Sequence, residues 1–152
     1  MQHDTLAPVN DRPYGNGIVT TRDLAAGEVV ADLGDCVAVD SPSIYTIEVG
    51  PGEHIDGDRV RHLNHSCDPN TYVDTVRLRV VALRPIAAGE ELTFFYPSTE
   101  WEMVGPFACL CGSAACVGTV SGARDLPLEV LHRYDLNAHI TDRLASRAAS
   151  VR

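Results

Sequence analysis

Residues 61–70 read Arg61-His62-Leu63-Asn64-His65-Ser66-Cys67-Asp68-Pro69-Asn70, and no other segment constrains the interpretation of this chain as strongly. The flanking residues indicate that these polar side chains lie in a buried or half-buried turn. Because Asp68-Pro69 cannot continue a helix, the segment is predicted to form an ordered loop. Taken alone, Asn64 and His65 would do no more than satisfy backbone groups of that loop.

A second informative segment follows about twenty residues later, Gly89-Glu90-Glu91-Leu92-Thr93-Phe94-Phe95-Tyr96. It is a glycine turn that leads into a strand ending in three aromatic side chains. In isolation such aromatics indicate core packing rather than a functional site.

The third segment is cysteine-rich, Cys109-Leu110-Cys111-Gly112-Ser113-Ala114-Ala115-Cys116. Three thiolates at this spacing are typical of a zinc site and require a fourth ligand to complete a tetrahedron. Because nearby residues offer no fourth Cys or His, that ligand must come from a distant part of the chain. The candidates are Cys67, Cys36 and the six histidines.

The rest of the chain is predicted to be mainly β. Apolar and β-branched runs separated by Gly and Pro turns predict strands at 17–20, 28–32, 36–39, 45–49, 76–83 and 91–96. Helix signals are confined to the C-terminus, where Asp125 and Pro127 open a short helix through Leu128, Leu131 and His132. A second helix is predicted from about Thr141, with Ile140 and Leu144 on one face and a fraying tail at 146–152.

Composition limits the possible partners. The length of 152 residues fits one domain. No apolar run approaches the roughly 20 residues of a membrane-spanning helix, so none is predicted. Residues 1–4 lack the basic start and apolar run typical of a signal peptide. We therefore expect an intracellular protein, cytoplasmic by preference and nuclear in a eukaryote. The net charge of −9 argues against direct nucleic-acid binding and favours a basic protein or peptide partner, although acidity equally serves solubility. No heptad or exposed apolar stripe specifies an oligomeric state.

The three segments, in this order, resemble the SET-domain protein-lysine methyltransferases. Residues 64–70 match the family motif Asn-His-Ser-Cys-x-Pro-Asn, residues 89–96 match Gly-Glu-Glu-Leu-Thr-(Phe/Tyr)-x-Tyr, and residues 109–116 match the post-SET Cys-x-Cys-x4-Cys. Near the N-terminus, Tyr14-Gly15-Asn16-Gly17, followed by Ala26-Gly27-Glu28-Val29-Val30, is similar to the opening Gly-x-Gly strand of the family. Consistency across four motifs is stronger evidence than any one of them.

The resemblance implies a fold of several small β-sheets with a pseudoknot, in which the chain threads through a loop. It places the SET domain at residues 12–97 and a post-SET zinc segment at 98–120. Residues 121–152 would then be a C-terminal helical extension of the same domain.

The resemblance also implies the reaction, which is methyl transfer from S-adenosylmethionine to the ε-amine of lysine in a protein. Tyr96 corresponds to the active-site tyrosine and is expected to orient groups rather than act as a base, since a tyrosine pKa of about 10 suits a base poorly. Phe94 occupies the switch position of the substrate channel, where a Phe permits di- or trimethylation. Tyr45 is a second candidate for a catalytic, channel-wall tyrosine, with an ordinary strand aromatic as the alternative.

For the cofactor, the family pattern assigns Asn16, Gly17, Asn64 and His65, with Arg61 as a candidate that is equally compatible with a structural charge. For the metal it assigns Cys67 as the fourth ligand, so that the structural zinc site comprises four thiolates: Cys67, Cys109, Cys111 and Cys116. The remaining Cys36 is expected to be a small buried hydrophobe.

One position departs from the family pattern, because Phe95 stands where an Asp is common. Residues 98–103 are expected to contribute to the lining of the site, with Trp101 equally compatible with the core. Two other functions fit the same residues: a catalytically silent SET module that binds a partner, and a methyltransferase acting on a non-protein amine. The intact catalytic motifs argue against the silent module.

Overall fold

The structure is a computed structural model that describes residues 6–12 and 15–150. Three parts of the sequence predictions therefore lie outside the described residues: segment 1–4, Tyr14 of the predicted cofactor turn, and the last two residues of the predicted tail. Within the described residues, no helix combines the length and apolar character needed to cross a bilayer.

The chain folds mainly as short β-strands, as the sequence predicts. In chain order they are β1 (Leu6–Arg12), β2 (Gly15–Thr20), β3 (Val29–Asp32), β4 (Val37–Val39), β5 (Ile47–Gly50), β6 (Glu53–Asp56), β7 (Asn64–His65), β8 (Thr71–Asp74), β9 (Arg79–Ala82), β10 (Thr93–Phe94), β11 (Phe107–Ala108) and β12 (Thr119–Val120). The helices are α1 (Asp58–Arg61), α2 (Leu128–Leu131) and α3 (Ala138–Ser150), with 3₁₀ turns at Tyr96–Ser98 and Ala123–Asp125.

The strands assemble into several small sheets rather than one large one. Strands β1 and β2 form an antiparallel pair, as do β11 and β12, while β3-β9-β8 and β4-β6-β5 are three-stranded antiparallel sheets. Strands β7 and β10 pair in parallel although they lie far apart in sequence. The threading of the chain through a loop stays a prediction.

Two predicted strands are shorter than expected. The predicted strand 76–83 is wrong in its first half, where the Asp74 carboxylate accepts hydrogen bonds from the backbone N–H groups of Val76 and Arg77, both at 3.0 Å. This Asx-type turn ends with Leu78 at a positive φ of 52° and leaves only β9 as a strand. The predicted strand 91–96 is a strand only over β10, apart from an isolated bridge between Glu91 and Val19. It ends before Tyr96, where the chain turns into a 3₁₀ helix that contains Pro97.

The buried apolar side chains form two clusters. The first fills the space between the sheets and includes Ile18, Leu33, Val73, Leu92 and Phe94. The second lies under the C-terminal region and comprises Phe95, Ala123, Leu131, Ile140 and Leu144. The predicted apolar face of the last helix is confirmed, since Ile140 and Leu144 both point into this cluster.

A buried asparagine joins the C-terminal region to the rest of the molecule. The Asn137 side-chain amide donates to the carbonyl oxygens of Val73 and Ser98, each at 2.9 Å, and its oxygen accepts from the Thr75 N–H at 3.0 Å. His139 adds a contact from Nε2 to the Thr99 carbonyl oxygen at 2.7 Å. Residues 121–150 therefore pack against the chain that immediately follows Tyr96.

Candidate active site

The parallel pair of β7 and β10 brings the first two sequence motifs together. Asn64 lies opposite Thr93 and His65 opposite Phe94, and the Ser66 N–H donates to the Phe94 carbonyl at 3.0 Å. Asn70, the last residue of the first motif, is buried and makes two hydrogen bonds to the backbone of the second motif. Its amide donates to the Glu91 carbonyl at 2.8 Å and its oxygen accepts from the Thr93 N–H at 2.9 Å. Asn70 is therefore a structural residue.

Tyr96 is held through its hydroxyl and its backbone by two residues of segment 61–70. Its hydroxyl donates to the Leu63 carbonyl oxygen at 2.8 Å, and its backbone N–H donates to Nδ1 of His65 at 3.1 Å. A tyrosine that is bonded through both its hydroxyl and its backbone keeps one orientation before any ligand enters. This geometry fits the orienting role that the sequence predicts for Tyr96.

His65 is a buried, neutral imidazole. Burial lowers its pKa to about 4, and the N–H of Tyr96 requires Nδ1 to be an acceptor. The ring proton therefore lies on Nε2, which faces the Cys67 sulfur at 3.3 Å. His65 thus links the tyrosine to the cysteine cluster, which is a positioning role.

A cavity opens beside Tyr96 and contains the predicted channel residues. Its aromatic walls are Tyr45, Phe94 and Tyr96, and the Phe94 and Tyr96 ring centroids lie 4.8 Å apart. The remaining apolar lining comprises Ile44, Ile47, Leu63, Met103 and Val104. The structure therefore brings Tyr45, predicted from weak evidence, to the same cavity as Tyr96.

Arg61 lies on the wall of this cavity rather than among the other predicted cofactor residues. Its guanidinium makes two hydrogen bonds to the Asp56 carboxylate, at 3.0 and 2.8 Å, and lies 5.1 Å from the centroid of the Tyr45 ring. This bidentate pair and the stacking account for Arg61 as a residue that holds Tyr45. Its predicted contact with the cofactor stays a prediction.

Sequence reasoning missed Glu100 as an individual residue of the cavity. Segment 98–103 was expected to line the site, and Glu100 and Met103 do so. Trp101 instead packs against the second apolar cluster, with the guanidinium carbons of Arg143 and Arg147 at 5.7 and 5.8 Å from its ring centroid. A carboxylate four residues after the tyrosine motif was the available signal.

Glu100 and Glu48 form an interlocked pair of buried carboxylates. Glu100 Oε2 accepts from the Glu48 N–H at 2.9 Å and from the Thr99 hydroxyl at 2.7 Å. Glu48 in turn accepts from the Trp101 N–H at 3.0 Å and from Arg143 at 2.9 Å. Burial, helped by the Glu48 charge, raises the pKa of Glu100 to about 7.

The residues predicted to hold the cofactor form a second surface, on the side of β7 and β2. The Asn64 amide donates to the Asn16 carbonyl and, at 2.9 Å, to the Glu91 carboxylate. A Cβ at position 17 would lie 2.6 Å from Glu91 Oε2, so any other residue there would displace this carboxylate. The missing side chain therefore admits Glu91, whereas Gly15 provides a positive φ of 105° for the turn.

Phe107 lies next to His65 and Tyr96 and was not anticipated from the sequence. Its exposed ring lies 6.3 Å from the His65 ring centroid and 6.1 Å from that of Tyr96. Polar groups and exposed aromatic rings are both common in sites that bind a nucleoside. The residue types of Asn16, Asn64 and Phe107 therefore fit an adenosyl cofactor.

The four predicted zinc ligands come together although Cys67 is more than forty residues from the others. Their sulfur atoms all lie within 4.8 Å of one another, and those of Cys67 and Cys109 are 3.8 Å apart. A tetrahedral site with Zn–S bonds of about 2.3 Å has sulfur–sulfur distances of about 3.8 Å. Donor chemistry and spacing therefore fit one zinc ion.

Metal binding by this cluster would release protons. Burial raises the pKa of Cys67, and it raises the pKa of Cys109 to about 11, so both thiols are protonated at neutral pH until a cation displaces the protons. Cys36 lies apart from the cluster, half-buried against the first apolar cluster. This position agrees with the small hydrophobe that the sequence predicts.

Phe95, the residue that departs from the family pattern, packs against an aromatic side chain of the C-terminal region. Phe95 stacks on Tyr134 with ring centroids 3.6 Å apart and an interplanar angle of 8°. The Tyr134 hydroxyl also donates to the Cys67 carbonyl at 2.6 Å. Phe95 therefore packs against the C-terminal region and does not line the cavity beside Tyr96.

The sequence is similar to those of known proteins. A family model described as SET domain matches residues 15–97. The chain is 40% identical to Methyltransferase flvH of Aspergillus flavus over 143 residues, covering 91% of this chain and 80% of that protein. It is 31% identical to the histone-lysine N-methyltransferase, H3 lysine-36 specific, of Chaetomium globosum, covering 90% of this chain but only 18% of that protein.

The fold matches solved structures as well. A crystal structure of KRYPTONITE in complex with mCHH DNA, an H3(1–15) peptide and SAH superposes with a TM-score of 0.58 and 27% identity. The match covers 75% of this chain and 29% of that chain. The arrangement of small sheets described above is therefore shared with that protein.

Proposed function

The chain belongs to the SET-domain methyltransferases, and from this premise we propose that it transfers a methyl group from S-adenosylmethionine to the ε-amine of a lysine in a protein. The observation that carries the proposal is the cavity in which Tyr45, Phe94 and Tyr96 meet, with the Tyr96 hydroxyl held by the Leu63 carbonyl. An aromatic channel of this kind accepts an alkyl amine and excludes water from it.

The chain's own residues would act by positioning. Asn16, Gly17, Asn64 and His65 would hold the cofactor, which supplies an electrophilic methyl group on a sulfonium. A lysine amine has a pKa of about 10.4 and must lose its proton before it can accept a methyl group. The apolar cavity favours the neutral amine, and Tyr96 would orient it for in-line attack.

The cysteine cluster would support this site without taking part in the chemistry. Four thiolates leave a zinc ion no open position, so the metal would be structural. Cys67 contacts His65, and His65 contacts Tyr96, which connects the zinc segment to the catalytic tyrosine. The zinc would therefore help to hold His65 and Tyr96 in place.

Phe94 at the switch position supports di- or trimethylation. Its ring is 2% exposed and lines the cavity, and no hydroxyl occupies that place to hold a water molecule. We expect mass spectrometry to find dimethyl- or trimethyl-lysine under excess cofactor. Monomethyl-lysine alone would contradict this assignment.

A second candidate acceptor is a non-protein amine. The observation that favours it is the similarity to Methyltransferase flvH over most of both chains, because that name specifies no protein substrate. The net charge of −9 favours the lysine-rich acceptor, since an acidic protein attracts a basic peptide.

A single acceptor panel distinguishes these functions. The protein would be incubated with methyl-labelled S-adenosylmethionine and, separately, an H3 peptide, a mixture of lysine-rich proteins, and small aliphatic amines. Label on lysine supports the proposal, and label only on free amines supports the second candidate. Cofactor binding with no label on any acceptor would indicate a silent SET module and overturn both.

A further inference from the structure

One oxygen of the buried Glu100 carboxylate is uncommitted. Glu100 is 9% exposed and lines the cavity that contains Tyr96. Both hydrogen bonds to its side chain, from the Glu48 N–H and the Thr99 hydroxyl, go to Oε2. None of the protein groups that the structure describes donates to Oε1. That oxygen is available to a donor inside the cavity.

When Glu100 is ionised, it gives the cavity a net negative charge. Among the described residues, Arg61 is the other charged side chain of the lining. Its guanidinium is held in a bidentate pair by Asp56, so its charge is balanced locally. The remaining walls are apolar or carry hydroxyl groups. A ligand in this cavity therefore meets Glu100 as its unbalanced charge.

A structural role alone does not explain a carboxylate at this position. Glu48, the other member of the pair, has Arg143 as a cationic partner at 2.9 Å. Glu100 forms no ion pair with any described residue, and a neutral amide would accept the same two hydrogen bonds. Burying a carboxylate without a cation is unfavourable, and a cationic ligand would reverse that cost.

We infer that Glu100 binds the protonated amine of the acceptor as it enters the cavity, and that the chain selects strongly basic aliphatic amines over neutral or weakly basic ones. The inference deepens the proposed function, since it rests on the cavity being the acceptor channel. Tyr45, Phe94 and Tyr96 would enclose the alkyl chain, while Glu100 would attract the positively charged nitrogen.

Ligand binding tests this assignment without any turnover. The probes are n-butylammonium, which has the alkyl chain and charge of a lysine side chain, and n-butanol, its neutral analogue. Each would be titrated by ligand-observed NMR into zinc-loaded protein containing S-adenosylhomocysteine. We expect the parent protein to bind the cation about tenfold more tightly than the alcohol, as for a charge-assisted hydrogen bond.

Two variants separate charge from structure. Glu100→Gln keeps an acceptor for the Glu48 N–H and should reduce the preference for the cation to about twofold or less, because the charge is lost. Glu48→Gln removes a charge from the same carboxylate pair outside the cavity lining and should retain the parent preference. A structural disturbance would affect both variants, whereas loss of a cation site affects only Glu100→Gln.

The outcomes are separate from those of the methyl-transfer assay. Equal binding of cation and alcohol by the parent protein would overturn the inference, and so would an unchanged preference in Glu100→Gln. A preference lost only in Glu100→Gln would support it, even if the acceptor panel found no methyl transfer and the proposed function failed.

Discussion

At the scale of single residues, the site depends on groups that are fixed before any ligand enters. Tyr96 is bonded to Leu63 through its hydroxyl and to His65 through its backbone. His65 stays neutral because burial lowers its pKa to about 4, so it accepts that backbone hydrogen bond at physiological pH. Preorganised hydrogen bonds of this kind need no reorganisation during reaction.

The buried Glu100 predicts a pH dependence of stability. Burial raises its pKa from 4.5 to about 7, so the folded protein retains a proton that the unfolded chain has lost. Its stabilising contribution is complete below pH 4.5 and disappears as the pH rises through 7. Between pH 5 and 8, Glu100→Gln should therefore gain about 2–3 kcal/mol of unfolding free energy relative to the parent protein.

The measurement is urea unfolding of both proteins across this pH range. Glu48 is the charge that faces Glu100, and Arg143 pairs with Glu48, so both are left unchanged. Glu102→Gln is the matched control, because Glu102 is exposed and pairs with Arg124 at the surface. A difference between Glu100→Gln and the parent that does not vary with pH would contradict the assigned cause.

At the scale of elements, the cysteine segment depends on a metal for its shape. Residues 107–120 contribute only the two-residue strands β11 and β12, together with three of the four clustered thiols. So little secondary structure does not hold a segment in place without a further link. The zinc ion is expected to provide that link to Cys67.

Removal of one ligand tests this dependence. Cys116→Ser should lose the zinc that we expect at one ion per chain, and residues 107–120 should then exchange their amide hydrogens faster. Elemental analysis and hydrogen exchange measure both effects. Cys36→Ser is the control and should retain the zinc, because Cys36 lies outside the cluster. Full zinc content in Cys116→Ser would refute the four-thiolate site.

Local sequence predicts elements well only where local interactions define them. Strands β2, β3 and β5 and the helix carrying Ile140 and Leu144 agree with the predictions because the apolar side of each faces a buried cluster. The turn before β9 was missed because it depends on hydrogen bonds to the Asp74 side chain. Strands β7 and β10 exist only through their mutual pairing, which no local pattern reveals.

At the scale of the whole molecule, the C-terminal region is integral to the fold. The second apolar cluster contains Phe95 from segment 89–96 and Ile140 from α3. The Asn137 side chain donates hydrogen bonds to the carbonyl oxygens of Val73 and Ser98. The two clusters share the chain around Tyr96. We therefore expect the sheets and the C-terminal helices to unfold in one transition.

The single tryptophan allows this prediction to be measured. Trp101 packs against the second cluster, so its fluorescence reports on the C-terminal region, while circular dichroism reports on the entire chain. The two urea transitions should coincide in the zinc-loaded protein. Ile140→Ala should shift both together by about 2–5 kcal/mol. Two separate transitions would show that the helical region folds independently.

The motifs predicted which parts of the chain form the site, but not which other segments contribute side chains to the cavity walls. Tyr96 and the four cysteines follow from family patterns that specify side-chain chemistry directly. Arg61 and Glu100 reach the same cavity from segments about forty residues apart, and Glu100 is bonded to Glu48, which is 52 residues away in sequence. Such contacts could not be predicted from spacing in sequence.

The central claim is that Tyr96 positions an amine for methyl transfer. The most direct test compares the parent protein with Tyr96→Phe, using methyl-labelled S-adenosylmethionine, the acceptor from the panel, and calorimetric binding of S-adenosylhomocysteine. We predict label transfer by the parent and a loss of about 10²–10³-fold in the variant, with cofactor affinity unchanged. Equal transfer by the two proteins, or none by a parent protein that binds the cofactor, would contradict the account.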